Sequence, residues 1–189
     1  FVHESLIDEV VKGLKIQAEK LIIGNPLNEN TEVGPLILPK ELGRVNNWVQ
    51  EAISEGAELI CGGKCLPNNS FEATVLLNPS SESKVSKLEV FGPVVCLYTY
   101  SNIDDAISIA NSLDVHFQAS VFTKDLETAL STVKKLNAAA VMVNDHTAFR
   151  VDWMPFGGRD ASGIGVGGIE HSMLEMTREK LMVIKRSVL

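Results

Sequence analysis

The chain of 189 residues has little cysteine, no surplus of basic charge and no long apolar run. Its three cysteines, Cys61, Cys65 and Cys96, are an odd and low count. That argues against a disulfide framework and fits a reducing compartment, so a cytoplasmic location is expected. Lys and Arg number 17 against 24 Asp and Glu, for a net charge of -7. Nucleic-acid binders usually present a basic face, which argues against a polyanionic partner. No stretch approaches the roughly 20 apolar residues of a membrane-spanning helix. What is present is ordinary globular composition, 45% hydrophobic and 22% charged, with length for one sizeable core. The chain opens on Phe1, with neither a basic leader region nor cleavage-site logic behind it. A piece of a longer polypeptide is the expectation.

Hydrophobic spacing predicts the elements. Phe1 to His3 read as a strand end, and Ser5 as the cap of a helix, with Asp8 answering it. Leu6, Val10, Leu14, Ala18 and Leu21 recur at helical spacing until Gly24, Asn25 and Pro26 break the run. A second helix is expected from Pro39, with Leu42, Val45, Val49, Ala52 and Ile53 as its buried stripe and Gly56 as its stop. Short strands follow at Glu58 to Cys61, Ala73 to Leu77 and Pro93 to Tyr100, with a turn at Gly62 and Gly63. Helices over Asp104 to Leu113 and Leu126 to Asn137 then alternate with strands over Ala119 to Phe122 and Ala139 to Asn144. This alternation predicts βαβ units and a parallel α/β sheet. A loop with six glycines spans Met154 to Gly168. It leads to a helix near Ile169 to Met176 and a last β-branched run at Leu181 to Ile184.

Three segments carry chemistry in order: Gly24 to Ile37, then Glu89-Val90-Phe91-Gly92-Pro93-Val94, then Val143-Asn144 followed by Met154 to Gly158 and Ser162 to Gly165. Each alone is a common turn or glycine loop. Together, in this order and at these separations, they resemble the aldehyde dehydrogenase superfamily over nearly the whole chain, including Val121 to Asp125. The resemblance implies a partial catalytic domain over residues 1–178 with an α/β parallel sheet, and an oligomerisation strand over 179–189 that pairs with another subunit. It also implies a homo-oligomer, dimer or tetramer, and NAD or NADP as cofactor.

Residue by residue, the resemblance gives Glu89 the role of bonding the nicotinamide ribose hydroxyls, and Phe91 that of packing near the nicotinamide ring. A carboxylate suits vicinal hydroxyls because it accepts from both; without the resemblance Glu89 reads as a solvated carboxylate at a turn. Asn144 matches the asparagine that ends the strand before the glycine loop and holds that loop through backbone bonds. Phe156 matches the phenylalanine lining the substrate channel, with His146, Thr147, Phe149, Arg150 and Trp153 on its variable wall. Phe149 to Pro155 looks like the lactaldehyde and non-phosphorylating glyceraldehyde-3-phosphate branch. Arg150 would then favour a small aldehyde carrying an anionic group. An ion pair with Asp145 or Asp152 is the equal alternative.

The implied reaction forms a thiohemiacetal on a cysteine, passes hydride to the cofactor and hydrolyses the thioester. The matching nucleophile lies upstream of Phe1 in the family, and none of the three cysteines takes its place. No catalytic residue is therefore expected in this chain, and the chain alone is expected to be inactive. Cys61 and Cys96 read as core thiols, and the Cys61, Cys65 spacing lacks the second pair a metal site needs. The chain also departs from the family. Val115-His116-Phe117 stands where Tyr-Gly-Leu is common, Asp160 replaces the loop lysine, and Val166-Gly167 replaces an arginine–glutamate pair. A non-catalytic assembly or regulatory module is the alternative reading, and an unrelated thiol enzyme built on Cys96 a third.

Overall fold

The computed structural model describes residues 1–186 as a mixed α/β protein in two units that meet at Ala106 and Ile107. In the first, β1 (Val2–His3) leads through a 3-10 turn (Glu4–Leu6) into α1 (Ile7–Lys20). Ser5 is not the cap that its sequence context suggested. His3 Nδ1 accepts the Ser5 amide at 3.2 Å and sits 2.8 Å from the Ser5 hydroxyl. The 3-10 turn places His3, rather than Ser5, beside the first free amides. The helix ends at Lys20, ahead of the glycine–proline break, because Leu21 is already extended.

Next come α2 (Pro39–Ser54), β2 (Glu58–Cys61), β3 (Cys65–Leu66), β4 (Ser70–Phe71) and β5 (Thr74–Leu77). They are followed by α3 (Lys84–Lys87), β6 (Val94–Leu97) and β7 (Thr99–Tyr100). Pro39 opens α2 as expected, its fixed φ suiting a first helical turn. β5 is central in a three-stranded sheet, antiparallel to β2 and parallel to β6, while β1 pairs in parallel with β7. Its side chains alternate between two cores. Leu76 packs with Val45, Val49 and Ala52 of α2. Val75 packs with Cys61 and Leu97, and against Val10, Val11, Leu14 and Ala18 of α1. The sheet reverses at Gly62, where φ is +75° and a Cβ would stand 2.3 Å from the Ala73 carbonyl oxygen.

α4 (Ile103–Ala110) carries the chain into the second unit. There β8 (Val115–His116), β9 (Gln118–Val121), α5 (Leu126–Lys135), β10 (Ala140–Val143), β11 (Arg159–Asp160) and α6 (Ile169–Glu175) follow. β9, α5 and β10 form the expected βαβ unit, with Ala140 opposite Gln118 and Val143 opposite Val121. Asp125 caps α5 by accepting the Thr128 amide at 2.7 Å. β8 and β11 are antiparallel.

The sheets are therefore mixed rather than wholly parallel. The β2–β5 link and the β3–β4 link carry no helix, and connections without a crossover reverse the chain. Beyond Thr177 the described residues form neither helix nor strand, and Leu181 to Ile184 are 77–88% exposed. Of the oligomerisation strand expected over 179–189, residues 179–186 form no strand within the single chain, since a strand exists only against a ladder partner; residues 187–189 lie outside the described ones. Among the described residues no helix is long and apolar enough to cross a membrane.

Leu76 is fully buried, so Leu76→Ala is expected to cost about 2–5 kcal/mol through lost burial and a residual cavity. Urea unfolding followed by the fluorescence of Trp48, which packs against this core, measures it; a loss under about 1 kcal/mol would contradict the central placement of β5.

Candidate functional site

The expected site residues fall in both units. In the first, Glu89 and Phe91 lie on the turn between α3 and β6. Phe91 is 74% exposed and has φ +49°, a left-handed conformation that bulky residues rarely adopt. Arg44 on α2 holds this turn. Its Nη2 donates to the Val90 carbonyl oxygen at 2.7 Å, its Nε donates to Glu41 at 2.6 Å, and its guanidinium lies 4.4 Å from the Trp48 ring. Gly92 lets the turn sit close on α2, since a Cβ there would meet Val45 at 3.1 Å. The turn thus presents an exposed carboxylate and an exposed ring side by side. An acceptor for a vicinal diol next to an apolar ring face fits a nicotinamide ribose chemically.

In the second unit, Asn144 follows β10 with φ +57°. Its Oδ1 accepts the Thr123 amide and its Nδ2 donates to the Thr123 carbonyl oxygen, both at 2.9 Å. These bonds tie the end of β10 to the end of β9, not to the glycine loop. The loop is closed instead by Phe156 and Gly167, which exchange backbone hydrogen bonds of 3.0 and 2.6 Å. Gly158 is forced by space, because a Cβ would lie 2.6 Å from the Ser162 carbonyl oxygen.

Phe156 gathers the wall residues. Phe117 meets its ring edge-on at 5.0 Å between centroids, and the Arg150 guanidinium lies 4.0 Å from its centroid. Arg150 forms no ion pair with Asp145 or Asp152 among the described residues; Asp145 is 3.8 Å from His146 instead. A cation over a ring face is held by the ring's quadrupole while its N–H groups stay available. His146, Thr147, Phe149 and Trp153 are exposed on the segment leading to this ring. Phe117, Phe156 and the glycine loop line an open cavity of about 410 Å³. Sequence reasoning missed Arg44 and Phe117, whose roles come from contacts distant in the chain; the Glu41, Arg44 spacing on one helix was the available signal for the first.

The cysteines are not brought together into a site. Burial raises the pKa of both Cys61 and Cys96, and their Sγ atoms lie 3.9 Å from the carbonyl oxygens of Ala73 and Val85. Cys65 is exposed. Among the described residues no group of three or more His, Cys, Asp and Glu gathers as a metal site would require.

The "Aldehyde dehydrogenase family" profile matches residues 1–182. A 3-sulfolactaldehyde dehydrogenase of Priestia aryabhattai is 41% identical over 184 residues, covering 97% of this chain and 38% of that protein. Aldehyde dehydrogenase 21 of Physcomitrella patens, solved with its reaction product succinate, superposes with a TM-score of 0.88 at 38% identity. It covers 93% of this chain, which spans 36% of that structure. A Methanocaldococcus jannaschii glyceraldehyde-3-phosphate dehydrogenase complexed with NADP gives 0.87 at 36% identity, covering 93% of this chain and 38% of its own. The chain thus spans well under half the length of the relatives it matches.

Iodoacetamide at pH 8 is expected to alkylate Cys65 first, with Cys61 and Cys96 at least about ten-fold slower, because raised pKa values leave little thiolate and burial blocks access. Peptide mass mapping reads the order; rapid labelling of Cys96 would revive it as a reactive thiol.

Proposed function

Since the chain belongs to the aldehyde dehydrogenase family, we propose that it is the C-terminal part of an NAD- or NADP-dependent enzyme oxidising an anionic aldehyde to its carboxylate. The observation that carries the substrate class is Arg150, set over the Phe156 ring without a carboxylate partner among the described residues. A guanidinium so placed offers a planar fork to a sulfonate, phosphate or carboxylate. Three relatives' substrates or products support the class, since 3-sulfolactaldehyde, glyceraldehyde-3-phosphate and succinate all carry such a group; lactaldehyde, the substrate named for others, is neutral.

On this reading the chain's residues bind and orient rather than react. Glu89 accepts from the ribose hydroxyls of the cofactor, and Phe91 packs against its nicotinamide. Acceptance of hydride is the chemistry that NAD or NADP supplies when bound. Phe117, Phe149 and Phe156 give apolar surface that keeps water from the substrate channel. The nucleophilic cysteine is none of Cys61, Cys65 and Cys96, so residues 1–189 alone do not turn over aldehydes. The exposed Leu181 to Ile184 run, on this reading, pairs with a second copy and buries its apolar face in a homo-oligomer.

The test is the full-length enzyme assayed for reduced cofactor with 3-sulfolactaldehyde and with propanal. Arg150→Ala is expected to raise KM for the sulfonated aldehyde about ten- to hundred-fold, the range of a charge-assisted hydrogen bond, and to leave propanal within about two-fold. Equal effects on both substrates would sink the anion clamp. No turnover of any aldehyde by the folded full-length protein would sink the enzyme.

A further inference from the structure

Two of the departures singled out in the sequence meet in space. His116, standing where the resemblance places glycine, lies on β8. Asp160, in place of the loop lysine, lies on β11. His116 Nδ1 is 2.8 Å from Asp160 Oδ2, and the histidine side chain is only 7% exposed. A carboxylate oxygen at that distance requires the proton on Nδ1, which donates. The other ring nitrogen, Nε2, is buried and finds no hydrogen-bond partner among the described residues. His116 is therefore oriented by Asp160.

The pair sits where the glycine loop is otherwise thinly attached. β8 and β11 share a two-residue ladder, Arg159 opposite His116 and Asp160 opposite Val115, and so short a ladder is weak by itself. Asp160 holds a left-handed φ of +53°, a conformation uncommon outside glycine but one that Asp adopts more readily than most residues. Asn137 reinforces the bond. Its Nδ2 lies 3.4 Å from Asp160 Oδ2, and its Oδ1 accepts from Arg159 at 3.2 Å. Ala161 donates its amide to the Asp114 carbonyl oxygen at 2.9 Å. Directly after His116 comes Phe117, its carbonyl oxygen held by the Ala139 amide at 2.8 Å and its ring against Phe156. Phe156 in turn carries Arg150.

We propose that His116 and Asp160 are a coupled pair of positioning residues that fastens β8 to the glycine loop, sets the Phe117–Phe156 contact and, through it, aims Arg150 at the anionic group of the substrate. The proposal rests on the reading of Arg150 as the anion clamp. Neither residue touches substrate. A bond between two otherwise isolated departures also accounts for their joint presence: glycine at 116 could not reach residue 160, and an ammonium at 160 would leave a histidine at 116 without its acceptor.

The test is steady-state kinetics of the full-length enzyme carrying Asp160→Ala, His116→Ala, the double variant and, separately, Arg150→Ala. Asp160→Ala and His116→Ala are each expected to raise KM for 3-sulfolactaldehyde about two- to ten-fold, the range of one hydrogen bond, with kcat and the KM for propanal within about two-fold. The double variant is expected to be no worse than the worse single, because both remove the same bond. Additive losses, or losses of thermal stability with no substrate-selective change in KM, would overturn the coupling while an effect of Arg150→Ala left the clamp standing. An Arg150→Ala enzyme with unchanged KM would remove the clamp and this proposal together. Should His116→Ala fail to fold, Asp160→Ala decides: its site is half exposed, and an unchanged KM for the sulfonated aldehyde counts against the pair.

Discussion

Alternation along β5 is the constraint from which the first unit follows. Leu76 and Val75 point to opposite faces, so the strand needs an apolar cover on each, and α2 and α1 provide them. Because α2 is fixed by that packing, Arg44 on it is fixed as well, and with it the Val90 carbonyl that Arg44 binds. Exposure of Glu89 and Phe91 is thus a downstream result of core packing. A loop left to itself would not keep a phenylalanine at positive φ with its ring in solvent, since the conformation costs about 1–2 kcal/mol and gains no burial.

The second unit solves a different problem. Its wall residues lie on a long segment with little regular structure, and order comes from a few contacts that converge on Phe156. Backbone pairing with Gly167 closes the loop, an edge-on ring and a guanidinium define the two sides of the phenylalanine, and a buried imidazole ties the neighbouring strand. Glycine is needed where backbone meets backbone, as at Gly158. On the proposed reading, substrate choice on such a scaffold rests on contacts among side chains rather than on the sheet.

Much of the architecture was legible in the residues. Helix α2 was readable from Pro39 and the 3.6-residue stripe, and the β9–α5–β10 unit from apolar runs bounded by Asp125 and Asn144. The short pairs β3–β4 and β8–β11 were not, because two residues carry no period to detect. Cap exchange between Ser5 and His3 was hidden for a similar reason: a single 3-10 turn shifts the free amides by a few positions without altering composition. For the site, Glu89, Phe91, Asn144 and Phe156 were proposed from resemblance, which names residues but not their contacts. Arg44 reaches Val90 across 46 positions, and His116 reaches Asp160 across 44. Pairings at such separation leave no local trace, so two departures that looked independent on paper turned out to share one bond.

The strained turn at Phe91 carries an evolutionary consequence. Glycine at that position would relieve the left-handed φ and make folding easier, yet it would strip away the ring that the proposed nicotinamide contact uses. If that contact is used, selection for stability and selection for activity pull residue 91 in opposite directions. Drift toward a sturdier protein has an open path there, and on the proposed reading it is the nicotinamide contact that keeps that path closed.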